Sequence, residues 1–274
     1  MYFRAKIIGV HISKITNVIL IGTGRVSWNL GNALKNKGIN ILEVVGRSFE
    51  KVNQLSEKFQ SKAVTDFKQI NPNADLYILA VSDDVIEEVA SQMPFVKGIV
   101  VHTSGMKDSV VLAKFFTRTG IFYPLQTFSF ERQPEFNSIP VFIQSNDVGD
   151  LTLLRDLAEK LSSTVVTIND EQRQRLHLAA VFVNNFTNAL YLMADQILVK
   201  DGLSIDYLKP LMIETAMKAI NLSPEQAQTG PARRNDQGTI NQHLELLTAF
   251  PELQEVYNNF SAYILTKYNR NIHE

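Results

Sequence analysis

The stretch VILIGTGRVSWNLGNALKNKG, Val18 to Gly38, sets a strand, a glycine turn and a helix in immediate succession, and no other feature constrains the fold as much. Residues 17–22 are a short, unbroken apolar run, the pattern of a parallel strand covered on both faces. From Ser27 to Lys37 the apolar residues Trp28, Leu30 and Leu34 recur at helical spacing, and Gly38 ends the run. A strand that leaves through a glycine turn into a helix opens a βαβ unit, so the following segments should alternate in the same way.

They do. Strand-like runs recur at 39–46, 62–66, 75–81, 97–105, 120–129, 139–146 and 163–168, with helix-like runs at 48–59, 83–93 and 149–161. The pattern predicts an α/β fold with a doubly wound parallel sheet. Beyond Asp170 no strand signal remains. Residues 170–202 read as one long helix ended by Gly202, and the next helix contains Pro210, which predicts a bend or break. A Pro- and Gly-containing loop follows at 223–238, then two final helices, with Pro251 suited to a first helical turn. The chain therefore reads as an α/β domain over residues 1–168 and an all-α domain over 169–274; the first 16 residues receive no role.

Gly22-Thr23-Gly24-Arg25-Val26-Ser27 has the spacing of a pyrophosphate turn. Gly22 permits the tight exit from the strand. Gly24 lets the backbone approach a phosphate, and Ser27 stands where a small residue packs helix on strand. The helix N-terminus adds free N–H groups and a positive dipole end. The plainer reading is a structural turn, or a Rossmann domain that binds another nucleotide-like ligand. The end of the second strand, where an acidic residue would hold the ribose of NAD, carries Gly46, Arg47 and Ser48 instead. Arg47 and Ser48 suit a 2′-phosphate, which favours NADP. Ala80 and Val81 are small apolar residues for packing under the cofactor, and Ser82 either touches it or caps the next helix.

The strand ending HTSG, 102–105, lies where the nicotinamide is expected. Its Ser104 could assist a substrate, whereas His102 reads as structural. In HLAAVFVNNFTNALYLMAD, 177–195, a regular helix puts His177, Asn184, Asn188, Tyr191 and Asp195 within about 40° of one line, with Asn185 about 80° off it. Polar groups so placed face a cleft or pair with another helix or subunit. Arg233 and Arg234 could clamp an anion or lie in solvent.

Composition removes other classes. There is no cysteine, which excludes thiolate catalysis, thiolate metal sites and disulfides. The histidines show no metal-ligand spacing, so no metal is expected. A net charge of −1 gives no field for nucleic acid or anionic membrane. No apolar run reaches the ~18–20 residues of a membrane span, and the N-terminus lacks a leader pattern, so a soluble cytoplasmic protein is expected.

With VILIGTGRVS, VVGRS, LAVSDD, HTSG, YPLQTFS, HLAAVFVNNFTNALY and TGPARRND in this order, the chain resembles bacterial Rossmann-like proteins carrying a DUF2520 C-terminal domain. More broadly it is similar to the superfamily of 6-phosphogluconate dehydrogenase, pyrroline-5-carboxylate reductase and ketopantoate reductase. The resemblance implies NADP on the first domain and hydride transfer to a small substrate in the interdomain cleft. It also implies a homodimer joined through the helical domain. Some of those relatives carry a lysine early in the first helix of the second domain. Here none lies between Asp170 and Val199, and His177 stands in that region, with Asn184 and Asn185 roughly where asparagines follow. His177 is then the candidate general acid. Tyr123 occupies a position often held by histidine in the DUF2520 group. The missing lysine also admits a second reading, a non-catalytic NADP-binding sensor or interaction protein.

Overall fold

The computed structural model describes residues 14–269. Most of the expected role-free N-terminal segment, residues 1–13, lies outside the described residues. The first region runs β1 (Asn17–Ile21), α1 (Arg25–Asn36), β2 (Asn40–Val45), α2 (Phe49–Phe59), β3 (Lys62–Val64), β4 (Leu76–Leu79), α3 (Ile86–Gln92), β5 (Ile99–His102), β6 (Thr119–Pro124), β7 (Val141–Ser145), α4 (Val148–Leu161) and β8 (Val165–Thr167). Helices follow: α5 (Asp170–Ala180), a π-helical turn (Val181–Phe186), α6 (Thr187–Val199), α7 (Lys209–Asn221), α8 (Pro224–Ala227), α9 (Gln237–Leu246) and α10 (Pro251–Asn269).

The strands form one sheet in the order β3-β2-β1-β4-β5-β6-β7-β8. Because successive strand residues point to opposite faces, Val18 and Leu20 of β1 enter one core with α1, α2 and α4, whereas Ile19 and Ile21 enter the other with α3. Both cores are apolar, which is why β1 reads as an unbroken hydrophobic run rather than an alternating one. The expected parallel sheet holds except at one place: β7 pairs antiparallel with β6. No helix bridges these two strands, only the loop 125–140 with a single 3₁₀ turn at Phe136–Ser138, so the chain returns in the opposite sense. Strand order reverses between β2-β1 and β1-β4, which opens a crevice outside their carboxyl ends.

Two compact units result, with the division between Asn184 and Asn185. Helix α5 thus goes with the sheet, although the sequence pattern changes at 168/169. Pro210 does not bend a helix: it lies in the first turn of α7, where its missing N–H costs nothing. No helix among the described residues is long and apolar enough to cross a membrane.

Candidate active site

The crevice is built around Gly22. Its φ of +115° is a conformation glycine adopts freely, and a Cβ there would lie 2.3 Å from the Ala80 carbonyl oxygen. The N–H of Gly22 donates to the Val45 carbonyl, tying the turn to the end of β2. Gly24 is the N-cap of α1 and has open space where a Cβ would stand. The first turn of α1 holds no acidic residue, so its unpaired N–H groups and dipole face the crevice unopposed.

Two adjoining cavities share these walls. The larger, about 700 Å³, is lined by Thr23, Gly24, Arg25, Val26, Ala80 and Val81, with Trp28, Lys51 and Phe130 among its other walls. The smaller, about 290 Å³, holds Gly22, Gly46, Arg47, Ser48 and Ser82, and Lys51 lines it too. Three cations, Arg25, Arg47 and Lys51, therefore surround the turn. Lys51 was not among the sequence candidates; it sits one turn beyond Ser48 on α2, on the side facing the crevice. Glu43, the acidic residue nearest the end of β2, is buried and occupied, accepting from Lys62 Nζ at 3.3 Å and the Asn71 N–H at 2.9 Å. An open glycine cradle, a bare helix N-terminus and cations in place of a ribose-binding carboxylate fit NADP.

Two cofactor candidates behave differently. Ser27 is fully buried between helix and sheet, its hydroxyl has no partner among the described residues, and it is not in the lining of these cavities. Its part is the packing one. Ser82 occupies the N-cap of the 3₁₀ turn Asp83–Val85 but its side chain makes no capping bond, so its hydroxyl is left for the cavity.

The second cluster lies at the end of β5. His102 is buried, accepts from the Ser104 N–H through Nδ1 at 3.2 Å, and has Nε2 3.3 Å from the Asp108 carbonyl. Burial, helped by the charge of Arg173, pushes its imidazole down to about 4. It is a neutral structural residue. Ser104 is buried as well; its Oγ accepts from the N–H groups of Met106 and Lys107. The oxygen thereby holds the turn, while its O–H keeps its own capacity to donate.

Beyond the turn stands His177. A Cβ on Gly105 would fall 2.4 Å from its Nδ1, so only glycine lets the ring lie there. Nδ1 is also 2.9 Å from the hydroxyl of Tyr123, a buried residue of β6 whose phenol burial pushes up to about 12. Helix α5, which carries His177, is bolted to the loop 104–109. Arg173, with no exposed side-chain surface, pairs with Asp170 at 2.7 Å and donates to Gln144 Oε1 at 3.0 Å and to the Lys107 carbonyl. Asp170 accepts from the N–H and the hydroxyl of Ser109, and Gln174 donates to the Met106 carbonyl. Burial opposes the Asp170 charge, but Ser109 and Arg173 outweigh it and hold the carboxyl below its ordinary value.

Asn184 and Asn185 lie in the π-helical turn at exposed positions. The inserted residue of such a turn rotates everything beyond it by about 100°. The single polar line expected from His177 through Asn188, Tyr191 and Asp195 is therefore broken at Val181–Phe186. In the second unit Arg233 stacks on Tyr268, 5.0 Å from its ring centre, and donates to the Gln228 carbonyl. Among the described residues no group of three His, Asp or Glu side chains could hold a metal.

Residues 17–104 match the family model described as NADP oxidoreductase, coenzyme F420-dependent, and residues 139–264 the domain of unknown function DUF2520. Across the whole fold the chain is similar to a candidate NADP oxidoreductase from Bacteroides fragilis, with 38% identity, 92% of this chain and 98% of that one covered, and a TM-score of 0.85. The chain belongs to the DUF2520 family of Rossmann-like reductases. Two more distant structures share the fold of this family. One is a reductive aminase from Aspergillus terreus in complex with NADPH and ethyl levulinate (14% identity, 94% and 95% covered, TM-score 0.67). The other is a pyrroline-5-carboxylate reductase from Coxiella burnetii (18% identity, 93% and 98% covered, TM-score 0.54). No curated protein matches the chain.

Proposed function

We propose that this protein is an NADP-dependent oxidoreductase acting on a small substrate at the Gly105–His177 end of the crevice. The observation that carries the reading is the pairing of a cationic glycine cradle with a held histidine on one sheet edge. NADPH supplies a hydride when bound; Gly22, Gly24 and the first turn of α1 would hold its pyrophosphate, and Arg47, Ser48 and Lys51 its 2′-phosphate. His177 would then exchange the proton that accompanies the hydride, with Ser104 and Tyr123 fixing the local geometry and Asn184 and Asn185 orienting the substrate. The shared fold with proteins named a reductive aminase and a pyrroline-5-carboxylate reductase supports small keto or imino acids as the first panel to try. The test is NADPH oxidation with such a panel, comparing wild type with His177→Ala. The reading predicts turnover in the wild type and at least a hundredfold loss in the variant at unchanged NADPH affinity. Undiminished turnover in the variant would remove His177 from the chemistry. Intact NADPH binding with no turnover on any substrate would favour the sensor reading, to which the missing lysine also points.

We propose further that the protein is a homodimer joined through its helical unit. Beyond Asn185 the buried apolar residues among those described are only Ala232, Ile240 and Leu247. Ile220 is 75% exposed, Ile213 66% and Leu211 60%, all on α7. A helical unit with so little core of its own is completed by a second copy. A cytoplasmic location remains the expectation for such an enzyme.

A further inference from the structure

We propose that the Tyr123 hydroxyl fixes which nitrogen of His177 carries the proton, leaving Nε2–H as the group offered to a substrate. The inference rests on the oxidoreductase reading above and deepens it. Tyr123 is buried, and its only hydrogen-bond partner among the described residues is His177 Nδ1 at 2.9 Å. A phenol has one O–H to donate. If that proton did not go to Nδ1 it would be a buried donor without an acceptor, which is costly. The tyrosine therefore donates and Nδ1 accepts. A neutral imidazole whose Nδ1 accepts carries its proton on Nε2. The upward shift of the phenol keeps that donor protonated across the working pH range.

The ring cannot easily turn to exchange its nitrogens. Its Nδ1 edge lies against Gly105, where even a methyl group would collide, and α5 is held by Arg173, Asp170 and Gln174. The neighbouring His102 offers no alternative, because both its nitrogens are engaged within the 102–108 turn. Tyr123 is thus a positioning residue, and His177 meets the substrate as a neutral hydrogen-bond donor; when its Nε2 proton follows the hydride onto the substrate, the ring regains a proton from solvent water. A donor at this point selects a substrate whose reacting carbon bears an acceptor, a carbonyl oxygen or the lone pair of an uncharged imine. An iminium cation has no lone pair to receive it.

The test is ¹⁵N NMR of the full-length protein labelled at histidine, at about pH 9, where imidazoles are neutral. Signals lost in His177→Gln identify the residue. The proposal expects a single tautomer in the wild type, Nδ1 bare and Nε2 protonated, and a mixture of both in Tyr123→Phe. A wild-type His177 protonated on Nδ1, or already a mixture, overturns it, as does a Tyr123→Phe spectrum identical to wild type. Should Tyr123→Phe fail to fold, the wild-type tautomer alone decides. An NADPH titration of the same sample separates the two claims. Absent cofactor binding sinks the oxidoreductase reading without moving the tautomer, and a wrong tautomer sinks this proposal without touching cofactor binding.

Discussion

His102 reads as structural in the sequence, and its surroundings couple its protonation to folding. Its ring is buried and held near 4, whereas in the unfolded chain it would titrate near 6.5. The folded state thus refuses a proton that the unfolded state accepts. Stability contributed by the neutral ring is complete above about pH 6.5, falls as pH drops toward 4, and levels off below. The span corresponds to about 3 kcal/mol. Urea unfolding at a series of pH values should show this loss, and His102→Gln should be less stable near neutrality but flatter across the same window. At Gly22, Ala would meet both a positive φ and the Ala80 carbonyl, so Gly22→Ala should lower stability by about 2–4 kcal/mol in thermal unfolding and abolish NADPH binding. The tight turn at Gly22 and the open approach at Gly24 were legible in the sequence because local chain geometry dictates them. The Tyr123–His177 contact was not, since it joins positions 54 apart that only the folded sheet brings together. Arg173 was equally hidden: nothing in the polar run DEQRQR sets it apart from its neighbours, and only the fold buries it.

Among the elements, the strands were legible throughout, because a sheet covered on both faces writes itself as apolar runs. The reversal at β7 was not, because strand direction depends on what the preceding loop does in three dimensions. The π-helical turn was invisible for a related reason: a fixed 100° per residue cannot anticipate one added residue, and the predicted polar line failed at that turn. Helix α5 carries the mechanical burden of the site, since its attachment to the loop 104–109 sets His177 on Gly105. Arg173→Met would leave Asp170 and two acceptors without their partner. It should cost about 3 kcal/mol by urea unfolding, the low end for a broken buried pair because Asp170 is partly exposed. Replacement of exposed Arg175, which pairs with Glu171 on the surface, should cost under about 0.5 kcal/mol.

At the scale of the molecule, the two units differ in how they are stabilised. The sheet has two apolar cores of its own, whereas the helices from α6 to α10 leave most of their large apolar residues uncovered. The proposed dimer predicts a two-chain mass by sedimentation at micromolar concentration. Ile213→Glu together with Ile220→Glu should give a monomer or a destabilised chain; a wild-type monomer would refute the assembly.

The central claim is that the crevice around Gly22 grips NADP through its 2′-phosphate. Titration with NADPH and with NADH, followed by nicotinamide fluorescence, tests it most directly, with Arg47→Ala beside the wild type. The account predicts tighter binding of NADPH than of NADH. It also predicts that the variant loses about 10- to 100-fold for NADPH while binding NADH almost as before, as expected when one charge-assisted contact to a phosphate is removed. Equal affinity for both nucleotides, or no binding of either, would contradict it.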